Sequence, residues 1–168
     1  EGLQVVVCGS ASPLGNSPNH AQACLAVLTP EHFFIFDVGA RAPLRIAQAR
    51  LPLGRLDGVF LTHFHSDHIA GLPDVNLASW VQGRPTPLMI YGPEGVATVV
   101  EGFNAAYALD RGYRVAHHGA DTLPPALGPM AATALAETGV VWADESLTIR
   151  AVRVDHDPAS PALGYRID

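Results

Sequence analysis

His63, His65, Asp67 and His68 stand within six positions of one another in FLTHFHSDHIAGL, directly after an apolar run. Imidazole nitrogens and carboxylate oxygens are the donors that divalent cations take from proteins. They suit Zn2+ above all, with Fe or Mn where carboxylates are more numerous. In extended backbone, side chains at i and i+2 point the same way, so His63 and His65 are expected to converge on one ion. Asp67 and His68 lie past the strand end, where the chain turns, and can serve a second ion a few Å away. Two ions about 3.5–4 Å apart clamp the attacking and leaving oxygens of a displacement. The alternative is a solvated loop that happens to be histidine-rich. Four donors in six residues at a strand end, where active-site loops gather, weigh against it.

A site of this kind wants another protein ligand. His156 in VRVDHDPASPALGYRI is the best candidate, because it ends an apolar strand as His63 does. His20 and His32 flank strands and read as surface groups. His117 and His118 in AHHGAD are adjacent, so their side chains are expected to diverge from a loop at the mouth of a pocket. Asp37 closes HFFIFDVG and is either an ordinary turn residue or a carboxylate that orients the metal loop.

The elements that must position these residues alternate. LQVVVC (3–8) reads as a strand, followed by the loop GSASPLGNSPN. Residues 21–30 and 32–39 read as two strands joined by a tight turn at Pro30 and Glu31. RAPLRIAQARL places Leu44, Ile46, Ala47 and Leu51 on one helical face. LDGVFLTH (56–63) is apolar throughout and is expected to be buried on both faces. Residues 71–83 predict a helix closed by Gly83, and 87–93 a strand. PEGVATVVEGFNAAYALDRG predicts one long helix with Pro in its first turn. Residues 119–139 read as loop with a short helix, and GVVWADE, SLTIRAVRVDH and ALGYRID as closing strands. The sum is a layered α/β architecture in a single domain over 1–168.

Composition agrees. The chain has 168 residues, 48% hydrophobic and 15% charged, which is the balance of a folded domain with a real core. The net charge is −6 and every basic residue is arginine, which argues against a broad basic face for nucleic acid but leaves room for a local patch. No apolar run reaches the roughly 18 residues that span a bilayer. Cys8 and Cys24 sit in apolar strand-like runs and read as buried free thiols, or as a pair if they fall on neighbouring strands in an oxidising compartment. The chain opens on Glu1 rather than Met, read here as a sign of residues upstream, and the compartment stays open between cytoplasm and periplasm or secretion.

THFHSDH resembles the metal signature of the metallo-β-lactamase superfamily. VVVCGSASP, FDVG, HIAGLPD, IYGPEG and VDHDPASPALGYRI resemble its ribonuclease Z and arylsulfatase-like branch, over residues 3 to 167. The resemblance implies an αβ/βα sandwich, of which this chain is the N-terminal half to two-thirds. It implies that His63, His65 and His156 bind a first ion and that Asp67 and His68 bind a second, with Asp67 as the proton acceptor. Two zinc ions with a bridging hydroxide are the family's usual equipment when the full site is assembled. Ala11 departs from the family's Gly-x-Gly pattern. The bridging aspartate expected after GYR, the last histidine and the flexible arm that grips transfer RNA would lie beyond Asp168.

The function expected from these readings is a metal-dependent hydrolase that uses a metal-bound hydroxide on a phosphodiester or related ester. Hydrolysis of a small lactone or β-lactam is the alternative, and a non-catalytic zinc-binding domain a third reading. The expected partners are a small-molecule substrate or the 3′ end of an RNA, with no membrane and with a homodimer left open as the assembly.

Overall fold

Successive residues of β3 (Phe33–Phe36) face different cores. Phe33 and Ile35 pack with Val59, Leu61 and Ile90 against Ala42, Ile46, Leu72, Val75 and Val96 from the helices. Phe34 and Phe36 pack with Phe60 against Trp142, Leu147, Ile149 and Tyr165 from a second sheet. A strand covered on both faces reads as an unbroken apolar run, which is why HFFIF and GVF show no alternation. The computed structural model describes residues 2–14 and 19–168, so the part of the first loop at 15–18 lies outside the described residues.

The larger sheet has the order β1 (Gln4–Gly9), β2 (Cys24–Leu28), β3, β4 (Gly58–Phe60), β5 (Met89–Gly92) and β6 (Ala131–Ala134). The first three strands pair antiparallel, and β3 to β6 run parallel. Parallel strands need crossovers, and each of the three contains helix: α1 (Ala42–Gln48) in the first, α2 (Ser66–Ile69) and α3 (Leu72–Val81) in the second, α4 (Val96–Ala106) and α5 (Ala108–His118) in the third. The smaller sheet is an antiparallel meander of β7 (Gly139–Ala143), β8 (Thr148–Val154) and β9 (Ala162–Ile167). Helices, sheet and sheet are three layers of the expected four-layer sandwich. The outer face of the smaller sheet is open to solvent at Val140, Val152 and Val154, as is one face of β1 at Val5 and Val7.

Several expectations need correction. The single long helix after Pro93 is two helices that meet at Tyr107, whose backbone (φ −100°, ψ 11°) leaves the helical region. Val96 and Val100 hold α4 on the core, whereas α5 buries no residue, so nothing keeps the chain on the α4 axis. The helix runs on to His118, which puts His117 and His118 in its last turn rather than in a loop. Their rings meet edge to face at 4.6 Å instead of diverging. The segment 119–139 contains the short helical turn Pro125–Leu127 and also an unforeseen strand, β6, whose AATA sequence carries little β preference and is held by pairing with β5.

The free-thiol reading of the cysteines is also overturned. Val7 pairs with Leu25 and Gly9 with Cys24 across a register shift, which brings Cys8 opposite Cys24 with their Cα atoms 5.0 Å apart, and the two form a disulfide.

His20 is exposed, as expected, but His32 is not a surface group. Its Nε2 lies 2.6 Å from Asp144 Oδ2 on the β7–β8 turn and its Nδ1 lies 3.3 Å from Asp57 Oδ2 ahead of β4. Its ring meets the edge of Trp142 at 4.9 Å. The contact therefore ties one sheet to the other. The Ser146 backbone N–H, helped by His32 and the Ser146 hydroxyl, holds the Asp144 carboxyl down at about 2 against an ordinary 3.8. A carboxyl with a depressed folded-state pKa stabilises above its unfolded value and loses that effect as the pH falls through the folded one. Asp144→Asn is thus expected to lower the unfolding temperature above about pH 4, with the gap to the parent protein closing toward about pH 2. Melting curves across that window read it directly, and a gap independent of pH would assign the clamp to packing alone.

Candidate metal centre

Strand β4 ends at Phe60, and the chain stays extended through Leu61, whose N–H donates to Tyr91 O at 2.7 Å. His63 is buried. His65, in extended conformation (φ −60°, ψ 146°), caps the short helix α2. This geometry brings the two rings together, edge to face at 4.7 Å, with His63 Nε2 and His65 Nδ1 only 2.9 Å apart. His156, just past the end of β8, completes the group, its ring centroid 4.5 Å from His63 and 5.4 Å from His65. One donor atom from each of the three histidines lies within 4.8 Å of the others.

The third ligand comes from the other sheet, so its placement depends on how β9 docks. Leu163 N–H donates to Thr62 O at 2.9 Å, and the Tyr165 hydroxyl donates to Leu61 O at 2.7 Å. Burial, with a smaller effect from the Asp37 charge, pushes the Tyr165 phenol well above its ordinary range, so this donor stays protonated. Both anchors fall on the two residues that precede His63.

The second pair sits one helical turn on. Asp67 is buried in α2, and its Oδ2 lies 3.6 Å from His68 Nε2. Asp37 underlies them. Its backbone takes the left-handed conformation (φ 57°), which turns its carboxylate back into the motif. Oδ1 accepts the Thr62 backbone N–H at 2.8 Å, and Oδ2 accepts the Thr62 hydroxyl at 2.8 Å and His68 Nδ1 at 2.7 Å. Of the two readings of Asp37, the geometry favours the orienting carboxylate. The neighbouring Gly39 is required by close approach, since a Cβ there would overlap the Asp67 carbonyl oxygen.

Burial, reinforced by the neighbouring His68 and His156, lowers the His63 pKa to about 4, so its ring is neutral at physiological pH. Burial alone would also lower His68. The hydrogen bond to Asp37 and the charges of Asp37 and Asp67 outweigh it and raise that group. The proton shared between two ring nitrogens 2.9 Å apart, beside a third imidazole, sits where a cation would take all three as ligands in its place. Asp67, His68, Asp37 and Thr62 border a cavity of about 550 Å³ whose other walls include Ser10, Leu25, Phe36 and Tyr165. His63 and His65 border a separate recess of about 310 Å³ with Phe64, Glu94 and Pro158 to Pro161. Asp67 and His68 thus open on the first space and His63 and His65 on the second, while His156 borders a third recess of about 470 Å³ with Arg153, Asp155 and Ser160.

A family profile described as a Beta-lactamase superfamily domain matches residues 34–168, which is most of the chain. The chain belongs to the metallo-β-lactamase superfamily. Membership implies divalent-metal binding, and the His63, His65 and His156 cluster fits it. Within the superfamily, the chain is 38% identical over 169 residues to a ribonuclease Z of Mycobacterium bovis (strain BCG / Pasteur 1173P2), covering 99% of this chain and 59% of that protein. It is 36% identical to a ribonuclease Z of Mycobacterium sp. (strain KMS), covering 57% of it. The chain thus spans less than two thirds of the length of these relatives. Among solved structures, the metallo-β-lactamase fold is shared with human tRNase Z, short form (TM-score 0.69, 22% identity, 98% of this chain and 64% of that one). It is shared also with YhfI from Bacillus subtilis (TM-score 0.70, 18% identity, 99% and 58%).

Thr62 and Tyr165 escaped the reading of the sequence. Thr62 stands inside FLTHFHSDHIAGL, but nothing in a lone threonine announces a contact with Asp37. No helix among the described residues is long and apolar enough to cross a membrane.

Proposed function

We propose that this chain carries the metal-binding part of a hydrolase that cleaves phosphodiesters, with the 3′ end of an RNA as its substrate class. The convergence of His63 Nε2, His65 Nδ1 and His156 beside the Asp67 and His68 pair carries the reading. The similarity to proteins named ribonuclease Z, at 34–38% identity, supports the choice of ester.

In this reading His63, His65 and His156 hold one Zn2+, with Mn or Fe as substitutes, and Asp67 with His68 Nε2 contributes to holding a second. When bound, such ions lower the pKa of a coordinated water from about 15.7 to about 7 and polarise the ester oxygen. The protein does the rest. Asp67 accepts the proton of the attacking water on its carboxylate and releases it to the leaving oxygen. Asp37 keeps His68 oriented, and Tyr165 with Leu163 keeps the His156 segment against the motif. One chain supplies all five residues, so the scheme holds for a monomer or a homodimer.

The test is a substrate panel on the full-length protein before and after chelation: bis-p-nitrophenyl phosphate, a 3′-extended precursor transfer RNA, a lactone and nitrocefin. Cleavage of the two phosphodiesters, abolished by chelator and restored by Zn2+, is expected. Turnover confined to nitrocefin or the lactone would defeat the phosphodiester reading.

A further inference from the structure

The Thr62 hydroxyl has one proton, two close partners and a longer contact to His68 Nδ1 at 3.4 Å, whose own proton goes to Asp37 Oδ2 at 2.7 Å. Asp37 Oδ2, at 2.8 Å, is a carboxylate oxygen and can only accept, so it takes that proton. The second partner, His63 Nδ1 at 2.9 Å, must then be the donor. With its proton on Nδ1, His63 turns a bare Nε2 toward His65 Nδ1, 2.9 Å away, at the centre of the three-histidine group. The opposite tautomer would leave the Thr62 oxygen facing a second lone pair and would place a proton where a cation belongs.

We propose that Thr62 is a positioning residue which passes the orienting effect of Asp37 on to His63, fixing the tautomer that presents Nε2 to the metal. This rests on the metal-site reading above and adds to it a residue that holds no ion. Asp37 reaches His68 directly, at 2.7 Å, but it reaches His63 only through the Thr62 hydroxyl. The carboxylate is itself held, since its other oxygen accepts the Thr62 backbone N–H at 2.8 Å. One carboxylate thereby orients a histidine in each half of the motif, and replacing Thr62 cuts the link to His63 while the direct Asp37–His68 contact stays in place. Partners that set the ring tautomer of a ligating histidine are worth about 10–100-fold in metal affinity.

Two variants separate the hydroxyl from the shape of the side chain. Thr62→Val keeps the volume and removes the hydrogen bond, while Thr62→Ser keeps the hydroxyl. Long-range proton–nitrogen spectra of the metal-free, full-length protein at about pH 8, where ordinary imidazoles are neutral, distinguish the two histidine tautomers. The expected result is Nδ1–H at His63 in the parent protein and in Thr62→Ser, with Nε2–H appearing in Thr62→Val. Chelator competition should show Zn2+ affinity about 10–100-fold weaker in Thr62→Val and near the parent value in Thr62→Ser. The proposal is overturned if His63 carries its proton on Nε2 in the parent protein, a result that needs no variant to fold. It is overturned equally if Thr62→Val keeps the parent tautomer and affinity, or if Thr62→Ser behaves as the valine variant does. The spectra are read without metal, so they decide this inference independently. Failure of the parent protein to bind Zn2+ would instead count against the metal-site reading.

Discussion

His63→Ala is expected to strip the protein of bound metal and leave turnover at least about a thousandfold below the parent, a loss of about 4 kcal/mol at about 1.36 kcal/mol per factor of ten. His63 is the buried member of the three-histidine group, and its ring is the closest neighbour of His156 there. Without it, His65 and His156 are two exposed imidazoles 5.4 Å apart with nothing between them. The Thr62 hydroxyl also loses its donor. Truncating a buried ring leaves a hole, so the variant needs a companion. His156→Ala sits on an exposed residue whose loss disturbs little packing, and it should cost metal and activity to a similar extent. Metal analysis after dialysis, run beside the phosphodiesterase assay, reads both effects. A His63→Ala protein that turns over like its parent would remove the metal centre from the mechanism.

Asp67→Asn is expected to behave differently, keeping metal at the three histidines while kcat falls by about 10²–10⁴, the usual worth of a general acid–base group. The substitution is nearly isosteric and the residue is buried, so the fold around α2 should survive. The carboxylate charge that faces His68 Nε2 at 3.6 Å disappears, and with it the group assigned to the proton. Because the residue handles a proton more than it grips substrate, the loss should fall on kcat with KM little changed. Activity within a few-fold of the parent would move the proton to some other group. Partial metal loss with intact kcat per bound ion would leave Asp67 a ligand only.

The grouping of the three candidate histidines is legible in the sequence because it rests on local rules. The i, i+2 spacing just past an apolar strand points His63 and His65 at one group, although the strand itself ends at Phe60 and the chain bends at Thr62. An apolar strand followed by histidine singles out His156. What stayed hidden depends on partners far along the chain. Thr62 gains its place from a carboxylate 25 residues earlier, and Tyr165 from a carbonyl 104 residues away. His32 looked like a strand-flanking surface residue until Asp144, 112 positions on, closed over it. Strand β6 has the alanine-rich sequence of a helix or loop, and only pairing with β5 makes it a strand. The break at Tyr107 likewise follows from where the core ends, which helical periodicity does not report. The cysteine pair needed the β1–β2 register before its partners could be known.

The origin of the third histidine carries a thermodynamic consequence. His63 and His65 follow a strand of the larger sheet, while His156 follows a strand of the smaller one. An ion bound by all three is a crosslink between layers, present only when the layers are docked, and its binding free energy adds to cohesion between them. A ligand that binds only the assembled state stabilises it by RT ln(1 + [L]/Kd), about 4.1 kcal/mol at a thousand times Kd. Calorimetric midpoints recorded with a series of divalent cations would therefore rank their affinities at this site with no substrate in hand, letting the protein name its own preferred metal by how much heat it takes to part the two sheets.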